Sequence, residues 1–94
     1  MTPAQAKRIG ELVEQELRAH TSMTWPRRAD PDTRALLVYS TDALFAYYLD
    51  AEGVVYELDM DRFLGHLQRV TDSAKIREVY AQAAARYPEL GPLA

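Results

Sequence analysis

Leu44-Phe45-Ala46-Tyr47-Tyr48-Leu49-Asp50-Ala51-Glu52-Gly53-Val54-Val55-Tyr56-Glu57-Leu58 is the stretch on which the fold turns. Two runs of strand formers, Leu44 to Leu49 and Val54 to Leu58, flank four residues that begin with aspartate and end with glycine. That is the pattern of a type I turn closed by a glycine bulge. Aromatic and β-branched side chains suit a pleated surface, so Tyr47-Tyr48 and Val54-Val55-Tyr56 favour strands. The rival reading is a short helix over 43–51, capped by Thr41 or Asp42 and stopped at Gly53.

In the bulged hairpin Asp50 faces Val54, Tyr48 pairs with Tyr56, and Ala46 pairs with Leu58. Side chains alternate with period two. One face therefore carries Leu44, Ala46, Tyr48, Val54, Tyr56 and Leu58, and the other Phe45, Tyr47, Leu49, Val55, Glu57 and Asp59. A two-residue turn would exchange the faces of the first strand against the second. Two unpaired carboxylates are costly to bury. Helices are therefore expected over the Tyr56 face, leaving the Glu57 face open or against a partner.

Upstream, Ala35 to Ser40 is another apolar β-leaning run, and Ser40-Thr41-Asp42 supplies turn chemistry. With the hairpin it makes a three-stranded antiparallel meander. Thr2-Pro3-Ala4-Gln5 reads as a capping box opening a helix from about Pro3 to Ala19, with Ile9, Leu12, Val13, Leu17 and His20 on one face. Gly10 costs that helix about 1 kcal/mol relative to alanine. From Thr21 to about Arg34 the periodicity stops, and Trp25, the only tryptophan, is the anchor expected to pack this long loop.

Downstream, Asp59 would cap a short helix turning Met60, Phe63, Leu64, Leu67 and Val70 inward. Thr71 or Asp72 would cap a last helix whose inner face is Ile76, Val79, Tyr80, Ala83 and Tyr87. Pro88 ends it, because the residue before proline is pushed out of helical geometry. The tail, Glu89 to Ala94, is expected along the surface. The fold class is α+β: one small domain over residues 1–94, in the order α-β-β-β-α-α, with the meander packed by helices on one face.

Ninety-four residues leave room for one core and little for an enclosed site. Absence of cysteine excludes disulfides, thiolate metal ligation and cysteine nucleophiles. No segment approaches the roughly 18 apolar residues that span a bilayer, and no apolar run follows basic residues at the start. A cytoplasmic protein without membrane contact is expected, and the arginine- and alanine-rich composition suits a bacterium with a GC-rich genome. Fourteen acids stand against eleven bases. All the imbalance lies between Ala35 and Asp61, where Asp42, Asp50, Glu52, Glu57, Asp59 and Asp61 meet no lysine or arginine. Nucleic-acid binding needs a basic stripe that releases counterions, and only Arg27, Arg28 and Arg34 hint at one.

The acids do not spell a metal site. Counting from Asp50, a calcium loop needs an oxygen ligand fifth and glycine sixth, and Val54 and Val55 stand there. Glu57 and Asp59 on a short strand lack the cleft that glycosidic acid–base chemistry requires. His20 suits a helix C-terminus, and His66 sits on the outer side of its expected helix. The glycines form no phosphate-binding or dinucleotide motif, and no serine lies in a nucleophile elbow. No catalytic residue, metal or cofactor is assigned.

What remains is a non-catalytic protein-interaction module presenting an acidic, aromatic sheet face. Its candidate binding residues are Phe45, Tyr47, Val55, Glu57 and Asp59, joined by Trp25, Arg27 and Arg28 on the long loop. Tyrosines bring rigid area and a polar handle to such surfaces. The partner is a protein: a basic one for an immunity-type or inhibitor protein, or a second copy of the chain for an adaptor that pairs as a homodimer. The alternative is a small ligand-binding or enzyme subunit with a site shared between protomers, which a pocket lined by Tyr47, Tyr56 and Trp25 would favour.

Overall fold

Thr2 opens the first helix by the reciprocal bonds of a capping box: its Oγ1 accepts from the Gln5 N–H (3.2 Å), and Gln5 Oε1 accepts from the Thr2 N–H (2.8 Å). The computed structural model describes residues 1–19, 29–42, 44–59 and 66–93. Helix α1 spans Pro3–Ala19 and buries Ile9, Leu12 and Val13, with Leu17 packed beside them, the face that the spacing predicts. His20 lies outside the described residues.

Five strands follow, β1 (Ala29–Asp30), β2 (Ala35–Thr41), β3 (Phe45–Leu49), β4 (Val55–Asp59) and β5 (His66–Arg69), then helix α2 (Ser73–Arg86) and a 3₁₀ turn at Pro88–Leu90. The strands form one antiparallel sheet in sequence order. The three expected strands are its centre, and 44–51, the described part of the rival helix, is not helical. The turn geometry is the expected one: Gly53 N–H donates to the Asp50 carbonyl at 3.1 Å and Gly53 takes φ +85°. Tyr48 then pairs with Tyr56 and Ala46 with Leu58.

Two edges were not expected. Ala29 and Asp30 leave the long loop to pair with Leu36 and Ala35, across a turn closed by the Arg34 N–H on the Asp30 carbonyl at 2.6 Å. The helix expected from Asp59 is replaced, where the chain is described, by β5. Asp59 stays in β4 opposite His66, and Leu58 opposes Leu67. Leu67 packs with the cluster on one face of the sheet and Val70 with that on the other, although one helix stripe would have held both. A spacing of three is compatible with either geometry over so short a run. Met60, Phe63 and Leu64 lie outside the described residues.

The helices lie on the opposite face from the expected one. Leu36, Val38, Tyr47, Leu49 and Val55 form the main cluster with Ile9, Leu12 and Val13 of α1 and Val79 and Ala83 of α2. The carboxylates do not prevent this, because burial tapers along β4, from Val55, 1% exposed, to half-buried Glu57 and Asp59. A face need not be dry along its whole length. A bulge between Leu37 and Tyr39 turns Val38 and Tyr39 to this same side. On the far face Ala35, Leu37, Ala46 and Tyr48 are buried as a second cluster, flanked by half-buried Tyr56, Leu58 and Leu67, to which neither helix contributes.

Asp72 caps α2 by accepting the Ala74 N–H at 3.1 Å. The tail beyond it does not simply lie along the surface as expected. Leu90 and Leu93 are buried in the main cluster, the Gln5 amide donates to the carbonyls of Leu90 (2.7 Å) and Pro92 (2.8 Å), and Arg8 grips Glu89. Apolar leucines find more burial in this cluster than on the surface. Among the described residues no helix is long and apolar enough to cross a membrane.

Candidate functional site

The bulge in β2 places Tyr39 opposite Tyr47, and the hairpin register places Tyr47 opposite Glu57. The three side chains therefore form one row across three strands, on the helix side of the sheet. The Tyr39 and Tyr47 rings stack with centroids 4.9 Å apart and planes 25° apart. Tyr47 Oη donates to the Glu57 carboxylate at 2.9 Å. From the first turn of α2, Lys75 sets its ammonium 5.0 Å from the Tyr47 ring centroid and 2.9 Å from Glu78 Oε2.

The next row towards the β2–β3 turn pairs Thr41 with Phe45 and Phe45 with Asp59. Phe45 and Asp59 are half-buried. Leu44, in the turn itself, is 47% exposed. Aromatic, apolar and acidic groups thus share one end of the sheet, where cover by the helices thins.

The candidate residues fare differently. Phe45, Glu57 and Asp59 lie at this half-covered end, whereas Tyr47 and Val55 are buried in the main cluster. Trp25, Arg27 and Arg28 lie outside the described residues. Tyr39, Lys75 and Glu78 belong to the cluster but are not legible as such in the sequence. The i, i+3 pairing of Lys75 with Glu78 is a visible signal, but nothing in it says which ring lies beneath. Asp50 is a turn residue as expected, accepting from the Glu52 and Val54 N–H groups (both 2.9 Å) and from Tyr56 Oη (3.1 Å). Tyr47 and Tyr56 stand on opposite faces, so the two do not line one pocket. A hollow of about 240 Å³ lies instead beside the Asp50 turn, lined by Gly10, Val13, Thr33, Arg34, Asp50, Ala51 and Glu52.

Burial first, and then the bond to Glu57, hold the Tyr47 hydroxyl above the usual tyrosine range. Burial likewise raises Tyr39, Tyr56 and Tyr80. The bond to Glu78 leads in pushing Lys75 up from 10.5 to about 12. A raised folded-state value contributes stability that is complete below the unfolded value and is lost as pH rises through the folded one. Stability is therefore expected to hold to about pH 9 and fall beyond about pH 10, where unfolded tyrosine ionises. Urea midpoints followed from pH 7 to 11 check this; a midpoint that rises above pH 10 contradicts it.

Chemically, the Tyr39 and Tyr47 hydroxyls and the Lys75 ammonium keep their protons at neutral pH. Every resolved shift among the described residues moves a group that titrates above neutrality still further up. The arrangement offers a carboxylate, an aromatic face and an apolar rim. Those groups recognise cations and apolar side chains. Comparison with protein-family models, curated proteins and solved structures finds no match.

Proposed function

We propose that the protein is a non-catalytic protein-interaction module, of immunity-type, inhibitor or adaptor character, whose acidic and aromatic sheet end meets a basic protein partner. The observation that carries this reading is the taper along β4. The strand passes from buried Val55 to half-buried Glu57 and Asp59, beside half-buried Phe45 and exposed Leu44, inside a stretch of six acids and no base. Apolar groups supply area that gains from desolvation. The uniform sign of charge steers a basic partner and speeds encounter. Val55 acts from beneath, as the packed floor that fixes β4.

Affinity capture from the native host, with mass spectrometry of what co-purifies, supplies the partner. The variant carrying both Glu57→Lys and Asp59→Lys is expected to bind that partner at least tenfold more weakly and to lose the salt dependence of association. Unchanged binding removes the acidic end from the site. A ligand-binding subunit with a site shared between protomers is the second reading, and the hollow at the Asp50 turn, at the other end of β3, is what favours it. A small molecule that binds there and brings two copies together would put it first.

A further inference from the structure

The cross-strand row already holds an ammonium group, and that ammonium comes from the chain itself. Lys75 stands over Tyr47 at 5.0 Å and beside Glu78 at 2.9 Å. We propose that the Tyr39–Tyr47 stack, with Glu57 and Glu78, is a seat for an arginine side chain of the partner, and that Lys75 occupies it in the free protein as a resident competitor. This rests on the reading of the acidic end as a surface for a basic protein, and names the contact at its centre.

Three observations carry it. The first is the ring: a tyrosine whose hydroxyl donates to a carboxylate, as Tyr47 does to Glu57 at 2.9 Å, has a more electron-rich face, and such faces attract cations. The second is the hold on Lys75. Its ammonium pairs with Glu78, whose side chain is 51% exposed against 30% for Lys75, so the pair stands at the rim of the cluster. The unbranched lysine stem can swing aside from there. The third is fit. A guanidinium is planar, stacks on aromatic rings and grips carboxylates with two parallel bonds, whereas the lysine ammonium is a point charge with no plane to stack. Arginine therefore gains more from a tyrosine pair flanked by two carboxylates than the lysine it displaces. The Tyr39 hydroxyl is buried beside the Lys75 ammonium and the Glu78 carboxylate, so a polar group lines the row next to the cation.

The test uses the full chain and a defined probe, the peptide acetyl-Gly-Arg-Gly-Arg-Gly-amide, with citrulline in place of arginine as its neutral control. Binding is followed by NMR on the ring signals of Tyr39 and Tyr47. Lys75→Met, which keeps the apolar stem, is expected to bind the arginine peptide at least fivefold more tightly than the parent, and the citrulline peptide is expected to bind neither. Lys75→Gln serves as a second variant, and thermal melting confirms that each is folded. Arg77→Gln removes the same charge from an exposed position two residues further along α2 and is expected to change binding less than twofold. Glu57→Gln added to Lys75→Met is expected to abolish the gain.

Equal or weaker binding by the Lys75 variants, an equal gain from Arg77→Gln, or ring signals that do not move each overturn the seat. The outcome also separates the two proposals. If charge reversal at Glu57 and Asp59 weakens the natural partner while Lys75→Met leaves it unchanged, the acidic surface stands and the seat falls. If charge reversal has no effect, the acidic surface itself falls.

Discussion

Tyr48→Ala is expected to cost about 3–5 kcal/mol of stability, the range for removing a large aromatic side chain from a core. Tyr48 lies on the face of the sheet away from both helices, yet it is 1% exposed and packed with Ala35, Leu37 and Ala46. The loss has two parts: the transfer of the ring back to water, and the cavity left between neighbours too small to close it. Against a total of about 5–15 kcal/mol for a domain, that is enough to leave much of the variant unfolded. Tyr56→Ala, one strand away in the same row, removes a half-buried ring and is expected to cost clearly less. Urea unfolding of the two variants checks the difference. A loss under about 1 kcal/mol at Tyr48 would mean that the far face is not a second core.

The second large effect is expected from Gly53→Val. Gly53 holds φ +85°, a conformation that costs an L-residue about 1–2 kcal/mol and a β-branched one more. Space is short as well: a Cβ there would lie 3.0 Å from Tyr80 Oη and 3.3 Å from Met1 Cε. Tyr80 cannot simply retreat, because its hydroxyl donates to the Gly53 carbonyl at 2.6 Å, a bond worth about 0.5–1.5 kcal/mol. Together these give a loss of about 2–4 kcal/mol. The turn also sets the hairpin register, and with it which side chains face the helices. Gly53→Asn is expected to lose less, since asparagine tolerates the left-handed region, and Tyr80→Phe is expected to recover little of the valine penalty. Thermal midpoints of the three variants decide it; a valine variant within about 0.5 kcal/mol of the parent would show that the turn carries no strain.

The turn at Gly53 is also the most legible part of the site. Asp50-Ala51-Glu52-Gly53 specifies its own geometry, since one carboxylate satisfies two backbone donors and one glycine takes the positive φ. From that turn the pairing of Tyr47 with Glu57 follows directly. Tyr39 does not follow, because the bulge that brings it beside Tyr47 inserts one residue into β2 with no glycine or proline to mark it. Lys75 is remote in sequence and reaches the row only because the first turn of α2 sets its ammonium over the Tyr47 ring. Two-residue β1 has no periodicity to read, and the run at β5 satisfies helix and strand spacing alike.

The sequence by itself determined the elements whose information is local: the capping box at Thr2, the stripe of α1, the Asp50–Gly53 turn with its register, the cap at Asp72 and the inner face of α2. Hydrogen bonds and side-chain spacing within a few residues settle each of these. Only the tertiary structure decided which face of the sheet the helices cover, that the tail packs as core, and that Tyr39, Tyr47, Glu57, Lys75 and Glu78 share one cluster. Those outcomes come from competition between apolar surfaces far apart in the chain. Leu36, Leu49 and Val55 in one cross-strand row offer the helices a continuous apolar area at one end of the sheet, and two acids further along β4 leave that area intact.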